Sequence, residues 1–231
     1  MIASDFEFRR RFWIIFAIFA VAFSCYFLDH KNAVAAALDG ADAVYHAAFG
    51  VAALVAFVAA GIRTWASAYL KTEVVKDPSV RTERLVADGP YRYVRNPLYL
   101  GTLLLAVAFA PLASRLGAVV LMVGMAGFIA RLIGREEQAL LASQGAAYRE
   151  YVAAVPRLVT ALRPRVPRGS GVPRWGQAFA GEAMMWAMAL GLAGFAATFD
   201  TRIIYAAVAL GLISYTIGWR RDPNPSDRGT V

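Results

Sequence analysis

Residues able to do chemistry concentrate in two places: Asp88 to Gly101, reading DGPYRYVRNPLYLG, and the acidic pair Glu136–Glu137 one apolar segment later. The first is a Gly-Pro turn, a run of aromatic and cationic side chains, and Asn96-Pro97 opening an apolar stretch. Asn caps free backbone amides, and Pro at the first helical position has no amide hydrogen to lose. The dipeptide therefore predicts a helix starting at Pro97 with Asn96 as its cap. The amides and positive dipole end of that helix, flanked by Arg92 and Arg95, suit an anionic group such as a carboxylate. The plainer readings are a turn and cap at a membrane edge, and a solvated acidic helix face.

Composition indicates what must position these residues. Of 231 residues, 59% are hydrophobic and 17% charged, and the mean hydropathy is +0.50, far more apolar than a soluble domain. The chain reads as an all-α, polytopic membrane helical bundle. Its single cysteine, Cys25, lies in an apolar run, so no intramolecular disulfide forms and nothing indicates an oxidising compartment. After Arg9-Arg10-Arg11, the stretch Phe12 to Leu28 reads as an uncleaved anchor, not a signal peptide. A short alanine-rich loop leads to a second apolar run, Ala43 to Ile62. From Arg63 to Arg95 the chain is basic and interrupted by Pro78 and Pro90, which predicts a loop with one interfacial helix near Thr64–Lys71.

Pro97 to Leu112 and Leu116 to Ile133 are joined by a tight turn, which predicts an antiparallel helical hairpin. The second arm should continue past Ile133, because Glu136, Leu140, Leu141, Tyr148, Tyr151, Val152 and Val155 recur at roughly helical spacing, with a break at Gly145. A basic, Pro-rich connector runs to Pro173. Two further apolar runs follow, Trp175 to Phe199 and Ile203 to Trp219. About six transmembrane helices are expected: two within 1–62, a core over 63–164 holding loop, hairpin and post-hairpin helix, a connector with two helices over 165–219, and a disordered tail over 220–231.

Charge placement orients the bundle. With both termini cytoplasmic, 21 of the 24 Lys and Arg residues lie on that side, and only Lys31, Arg115 and Arg202 lie opposite. This explains the net charge of +8 without nucleic acid. It also puts both motifs on the cytoplasmic side of an inner or plasma membrane. Most of these arginines then set topology and meet lipid phosphates. Glu182, an acid within an apolar run, is either functional or close enough to the cytoplasmic end to reach water. His30 and His46 read as structural, no metal site is expected, and an oligomer is permitted but not indicated.

DGPYRYVRNPLYLG, the hairpin, and then REEQALLASQGAAYREYVAAVPR together resemble the isoprenylcysteine carboxyl methyltransferase and phospholipid methyltransferase superfamily. That pattern runs Gly-Pro-Tyr, Arg-His-Pro-x-Tyr-x-Gly, then Glu-Glu-x-x-Leu, Gly-x-x-Tyr-x-x-Tyr and Val-Pro, and the likeness covers roughly Trp65 to Pro164. It implies an integral membrane methyltransferase using S-adenosylmethionine, held in a cytoplasmic pocket between the loop before the hairpin and the helix after it. Carried over by position, the cofactor contacts fall on Leu85, Val86, Tyr91, Asn96, Pro97, Leu98, Tyr99 and Glu136, with Arg95 beside them. A carboxylate suits a ribose diol, and the helix start suits the methionyl carboxylate.

Two departures bear on the acceptor. Asn96 stands where the superfamily has His, and Asn does not titrate near neutral pH, so no catalytic imidazole acts there. The substrate-binding Arg of the prenylcysteine enzymes falls on Leu132, leaving Arg131 and Arg135 as the neighbours to replace it. The expected reaction is direct methyl transfer to a lipophilic or amphiphilic acceptor entering from the bilayer, of isoprenylcysteine-carboxylate or phospholipid-amine type. Glu137 is the base if the acceptor must lose a proton. The rival readings are a membrane NADPH-dependent reductase of the sterol-reductase type and a small non-enzymatic transporter.

Overall fold

A computed structural model describes residues 2–38, 41–70 and 87–221, with side chains as far as Thr216. Its α-helices among those residues are α1 (Asp5–Arg9), α2 (Arg11–Ser24), α3 (Ala33–Ala37), α4 (Asp42–Leu70), α5 (Pro97–Phe109), α6 (Arg115–Ala154), α7 (Trp175–Gly181), α8 (Ala183–Thr198) and α9 (Thr201–Arg221). No strand occurs among the described residues beyond an isolated bridge between Asn32 and Ser114. The all-helical expectation holds.

Local sequence explains the helix starts. Ser4 and Glu7 form a reciprocal capping box at α1, each side chain accepting from the other's backbone amide. Asn32 accepts from the Val34 and Ala35 amides, so the alanine-rich stretch expected as a loop contains the short helix α3. Asn32 also donates to the Pro111 and Leu112 carbonyls, tying that segment to the hairpin turn. Ser114 caps α6 by accepting from the Gly117 amide.

Helix lengths modify the span count. Two helices, α4 and α6, are long and apolar enough to cross a membrane, and the bent pair α7–α8 makes a third if counted as one span. The segments Arg11–Phe27, Pro97–Leu112 and Thr201–Thr216 are apolar but shorter than a full span. The outward surface is apolar: Leu54, Val58, Val119, Val123 and Leu190 are each more than half exposed. A helical protein with such a surface is a membrane protein.

Packing runs in the order α9, α8, α4, α5, α6, α2. The hairpin arms touch each other less than they touch outside partners, α5 leaning on α4 and α6 on α2. A face-to-face stack of Phe12 on Tyr215, with centroids 3.6 Å apart, brings α2 back against α9 and closes the series.

Two expectations change for one reason. The helix expected near Thr64–Lys71 is present as far as Leu70, but as an unbroken continuation of the second apolar run: α4 passes through Arg63 without a loop. The fifth run is not one helix, because it bends by 63° between α7 and α8 at Glu182. Arg63 turns inward, its Nε 2.7 Å from Glu182 Oε2 and its Nη2 donating to Oε1 at 3.2 Å. Ser67 donates to the same carboxylate at 2.5 Å, and Arg63 Nη1 donates to the Leu98 carbonyl and to Thr102 Oγ1. Glu182 thus does not reach water; it is 6% exposed. The arginine crosses α5 at Gly101, where a Cβ would come within 2.9 Å of the Ala59 carbonyl.

Past its apolar part, which ends at Ile133, α6 runs on as expected and breaks at Gly145, whose φ of 56° and ψ of −117° leave the helical region. At its far C-terminal end α9 extends to Arg221, two residues into the expected tail, and residues 222–231 lie outside the described residues.

Removing one partner of a buried, hydrogen-bonded ion pair leaves the other unpaired. Glu182→Ala should cost about 3 kcal/mol, roughly a 6–12 °C fall in the Tm of detergent-solubilised protein. Arg63→Met with Glu182→Leu should recover much of that loss; a single mutant with unchanged Tm would contradict the role given to the pair.

Candidate functional site

The site segments meet where α5 begins and α6 leaves its apolar stretch. Asp88 to Asn96 forms a tight turn, with a 3-10 turn at Gly89–Arg92, leading into α5. The Pro-rich connector after α6, expected to be irregular, folds back along this turn as a strap. Arg95 N donates to the Pro156 carbonyl, Ala161 N to Tyr93 and Arg165 N to Arg92, while Arg174 N reaches the Ala68 carbonyl of α4. Asp88, 5% exposed, accepts from the Gly169 and Gly171 amides at 2.7 and 2.8 Å. Buried carboxylates need such donors. Asp88 and the Gly169-Ser170-Gly171 run had no assigned role in the sequence; an acid before a Gly-Pro turn and a small-residue run are the signals that pointed there.

Beneath the turn, Tyr148, Tyr151 and Val155 form a small core of their own, and Tyr151 donates to the Tyr91 carbonyl at 2.8 Å. Burial pushes the Tyr91 phenol upward and the Tyr148 phenol up to about 12. Both stay protonated at neutral pH, so neither serves as a base.

The two acids of the pair have different surroundings. Glu136 accepts from the Tyr99 hydroxyl at 2.7 Å, joining two predicted cofactor residues across the hairpin. Burial raises the Glu136 carboxyl above the ordinary carboxylate value, while the Tyr99 hydrogen bond and the Arg11 charge pull it down. Glu137 faces the strap, 3.2 Å from Arg95 and 2.7 Å from Arg157, with Asn96 Nδ2 at 3.5 Å. It serves as the knot of an ionic cluster joining turn, helix and strap.

Asn96 occupies the cap position of α5 without capping it. Its side chain donates to the Arg157 carbonyl at 3.1 Å, because the strap competes for it. Pro97 is fully buried, and the Leu98 carbonyl receives Arg63. The Tyr91 hydroxyl and Arg95 Nε are buried without a hydrogen-bond partner among the described residues.

Tyr91, Asn96, Pro97, Leu98, Tyr99 and Glu136 are therefore gathered around one corner of the fold, with Arg95 beside them. Leu85 and Val86 lie outside the described residues. Arg131 and Arg135 face elsewhere: Arg131 donates to both oxygens of Glu7, and Arg135 pairs with Asp5 and donates to the Ala3 carbonyl. Leu132 is wholly buried in the core. No group of three or more His, Cys, Asp or Glu side chains suited to a metal ion occurs among the described residues.

A raised native pKa means that the folded protein holds its proton more tightly than the unfolded chain. Glu136 thus subtracts stability as pH rises from the ordinary carboxylate value through its raised one. Between about pH 4 and pH 8, the Tm of Glu136→Gln should gain on that of wild type as pH increases; parallel Tm profiles would show that burial does not shift this group.

In comparison with known protein families, residues 49–142 fit the pattern described as Isoprenylcysteine carboxyl methyltransferase (ICMT) family. Neither curated proteins nor solved structures give a significant match.

Proposed function

We propose, for a chain whose residues 49–142 match the isoprenylcysteine carboxyl methyltransferase family pattern, an integral membrane methyltransferase that draws on S-adenosylmethionine and methylates a lipophilic or amphiphilic acceptor. One observation carries this reading: Tyr99 and Glu136, one hairpin apart in sequence, meet in a hydrogen bond just inside the uncapped start of α5. The family match favours methyl transfer over the reductase and transporter readings.

The residues present fit such a cofactor. An orphaned, buried hydroxyl at Tyr91 asks for a partner. The first amides of α5 have no side-chain cap and suit a carboxylate. In this reading Glu136 binds the ribose diol, while Tyr91 and Tyr99 flank the adenine or the sulfonium. Arg95, Asn96, Pro97 and Leu98 shape the helix start, and Leu85 and Val86 complete the contacts. When bound, S-adenosylmethionine would supply an activated methyl group for transfer to the acceptor's nucleophile, with S-adenosylhomocysteine as the leaving group.

The chain's own work is then to hold the reactants in line and exclude water. Glu137, the base of the sequence reading, is surrounded by Arg95, Arg157 and Asn96. These donors favour an acceptor that arrives already anionic over an amine that must shed a proton. The proposed placement has six membrane-embedded apolar segments, both termini and the site cytoplasmic, in an inner or plasma membrane.

Calorimetric titration with S-adenosylhomocysteine tests the reading. Wild type should bind in the micromolar range, and Glu136→Ala should weaken binding by about ten-fold or more. Tyr91→Phe should weaken it by about two- to ten-fold while leaving the ligand-free Tm unchanged or higher, because it removes an unpaired hydroxyl. A folded wild type that binds nothing would rule the reading out.

A further inference from the structure

The strap after α6 has two unlike sides. One is fastened to the site: Ala161 N donates to the Tyr93 carbonyl, Arg165 N to the Arg92 carbonyl, and Arg92 Nε to the Val166 carbonyl at 3.0 Å. On that side Ala161 is buried and Leu158 packs against the main core. The other side is bare, with Val159 81% and Leu162 99% exposed.

The charge on the bare side has a single sign. Residues 151–181 hold five arginines and no acid. Arg157 is taken by Glu137. Arg163, Arg165 and Arg168 are exposed, and none has an acidic partner among the described residues. Two exposed apolar side chains alone carry no argument. Set among unpaired cations, they have the make-up of a segment that rests on an anionic lipid surface, where apolar groups enter the interface and guanidiniums meet phosphates.

The strap also lies at the level of such a surface. It begins beside the start of α5, where the Arg157 carbonyl takes the Asn96 amide. It ends where Arg174 N donates to the Ala68 carbonyl of α4, six residues beyond Ile62 and so about 9 Å of helix past the apolar run. Next comes α7, set at 63° to α8, with Trp175 and Phe179 both exposed and four residues apart on one face. Aromatic side chains on a short oblique helix mark the membrane–water interface.

We infer that the outer side of the strap is a binding surface for anionic phospholipid: Arg163, Arg165 and Arg168 meet head-group phosphates while Val159 and Leu162 enter the interface beside them. Because the inner side is bonded to the turn at Arg92 and Tyr93 and, through Arg157, to Glu137, lipid bound outside holds the strap down on the corner containing Tyr99 and Glu136. The lipid here is a surface partner and not an acceptor, so the inference stands apart from the methyl-transfer reading.

The test places a bimane label at Leu162→Cys in a Cys25→Ala background, which removes the single native cysteine. The protein is held one copy per nanodisc, in phosphatidylcholine alone or mixed with phosphatidylglycerol, and a nitroxide carried on the lipid quenches label that enters the interface. Quenching should be strong with phosphatidylglycerol and weak without it. Arg163→Gln, Arg165→Gln and Arg168→Gln should each lower the inserted-to-free ratio by about five-fold, and the matching Lys variants should keep most of it. Arg9→Gln, altering an exposed cation of the N-terminal segment, should leave this label unchanged. A label unquenched in the mixed nanodiscs would mean that an acidic protein or a second copy covers the strap, and would overturn the inference. Equal quenching in both lipids, or quenching that survives the triple Gln variant, would overturn it as well.

Discussion

A buried ion pair sets the geometry of this protein. Arg63 and Glu182 meet among apolar helices, where neither charge is tolerable alone. To meet, α4 must continue as helix beyond its apolar stretch, and the chain between α7 and α8 must bend to turn its carboxylate inward. The remaining donors of Arg63 fix the first turn of α5 through the Leu98 carbonyl and Thr102. The height and rotation of α5, and with them Tyr99 and the uncapped helix start, follow from a pair that takes no part in the chemistry proposed.

A second set of charges holds the site from outside. Glu137 ties turn, helix and strap together, and Asp88 pins the strap through the Gly169 and Gly171 amides. Adjacent acids thus do different work. Glu136 points toward Tyr99 and the interior, Glu137 toward the arginines of the surface. One residue of helical advance, about 100°, is enough to separate a buried carboxylate from a structural one.

Much of this was legible in the sequence. Asn96-Pro97 marked a helix start, the apolar runs marked most helices, and the spacing from Glu136 to Val155 marked a helix leaving the membrane with a break at Gly145. Local patterns of this kind report local structure. What was not legible depends on partners far away in the chain. Arg63 read as the first residue of a basic loop because Glu182 lies 119 positions later. Arg131 and Arg135 read as site residues because nothing in a short acidic N-terminal segment announces that it docks on α6. Asn96 failed to cap its helix because the Arg157 carbonyl, 61 positions away, took its amide. Leu85 and Val86, outside the described residues, stand where the sequence left them.

The Phe12–Tyr215 stack also has a bearing on how the protein is made. Every segment matched by the family pattern has emerged long before α9 is synthesised, so the corner holding Tyr99 and Glu136 can assemble while one flank of the bundle is still open to lipid. Helix α9, made after all of those segments, closes that flank against α2, made before them. Enclosure therefore waits on the synthesis of α9, and a chain arrested after α8 would carry the complete matched segment in a bundle with an unsealed side.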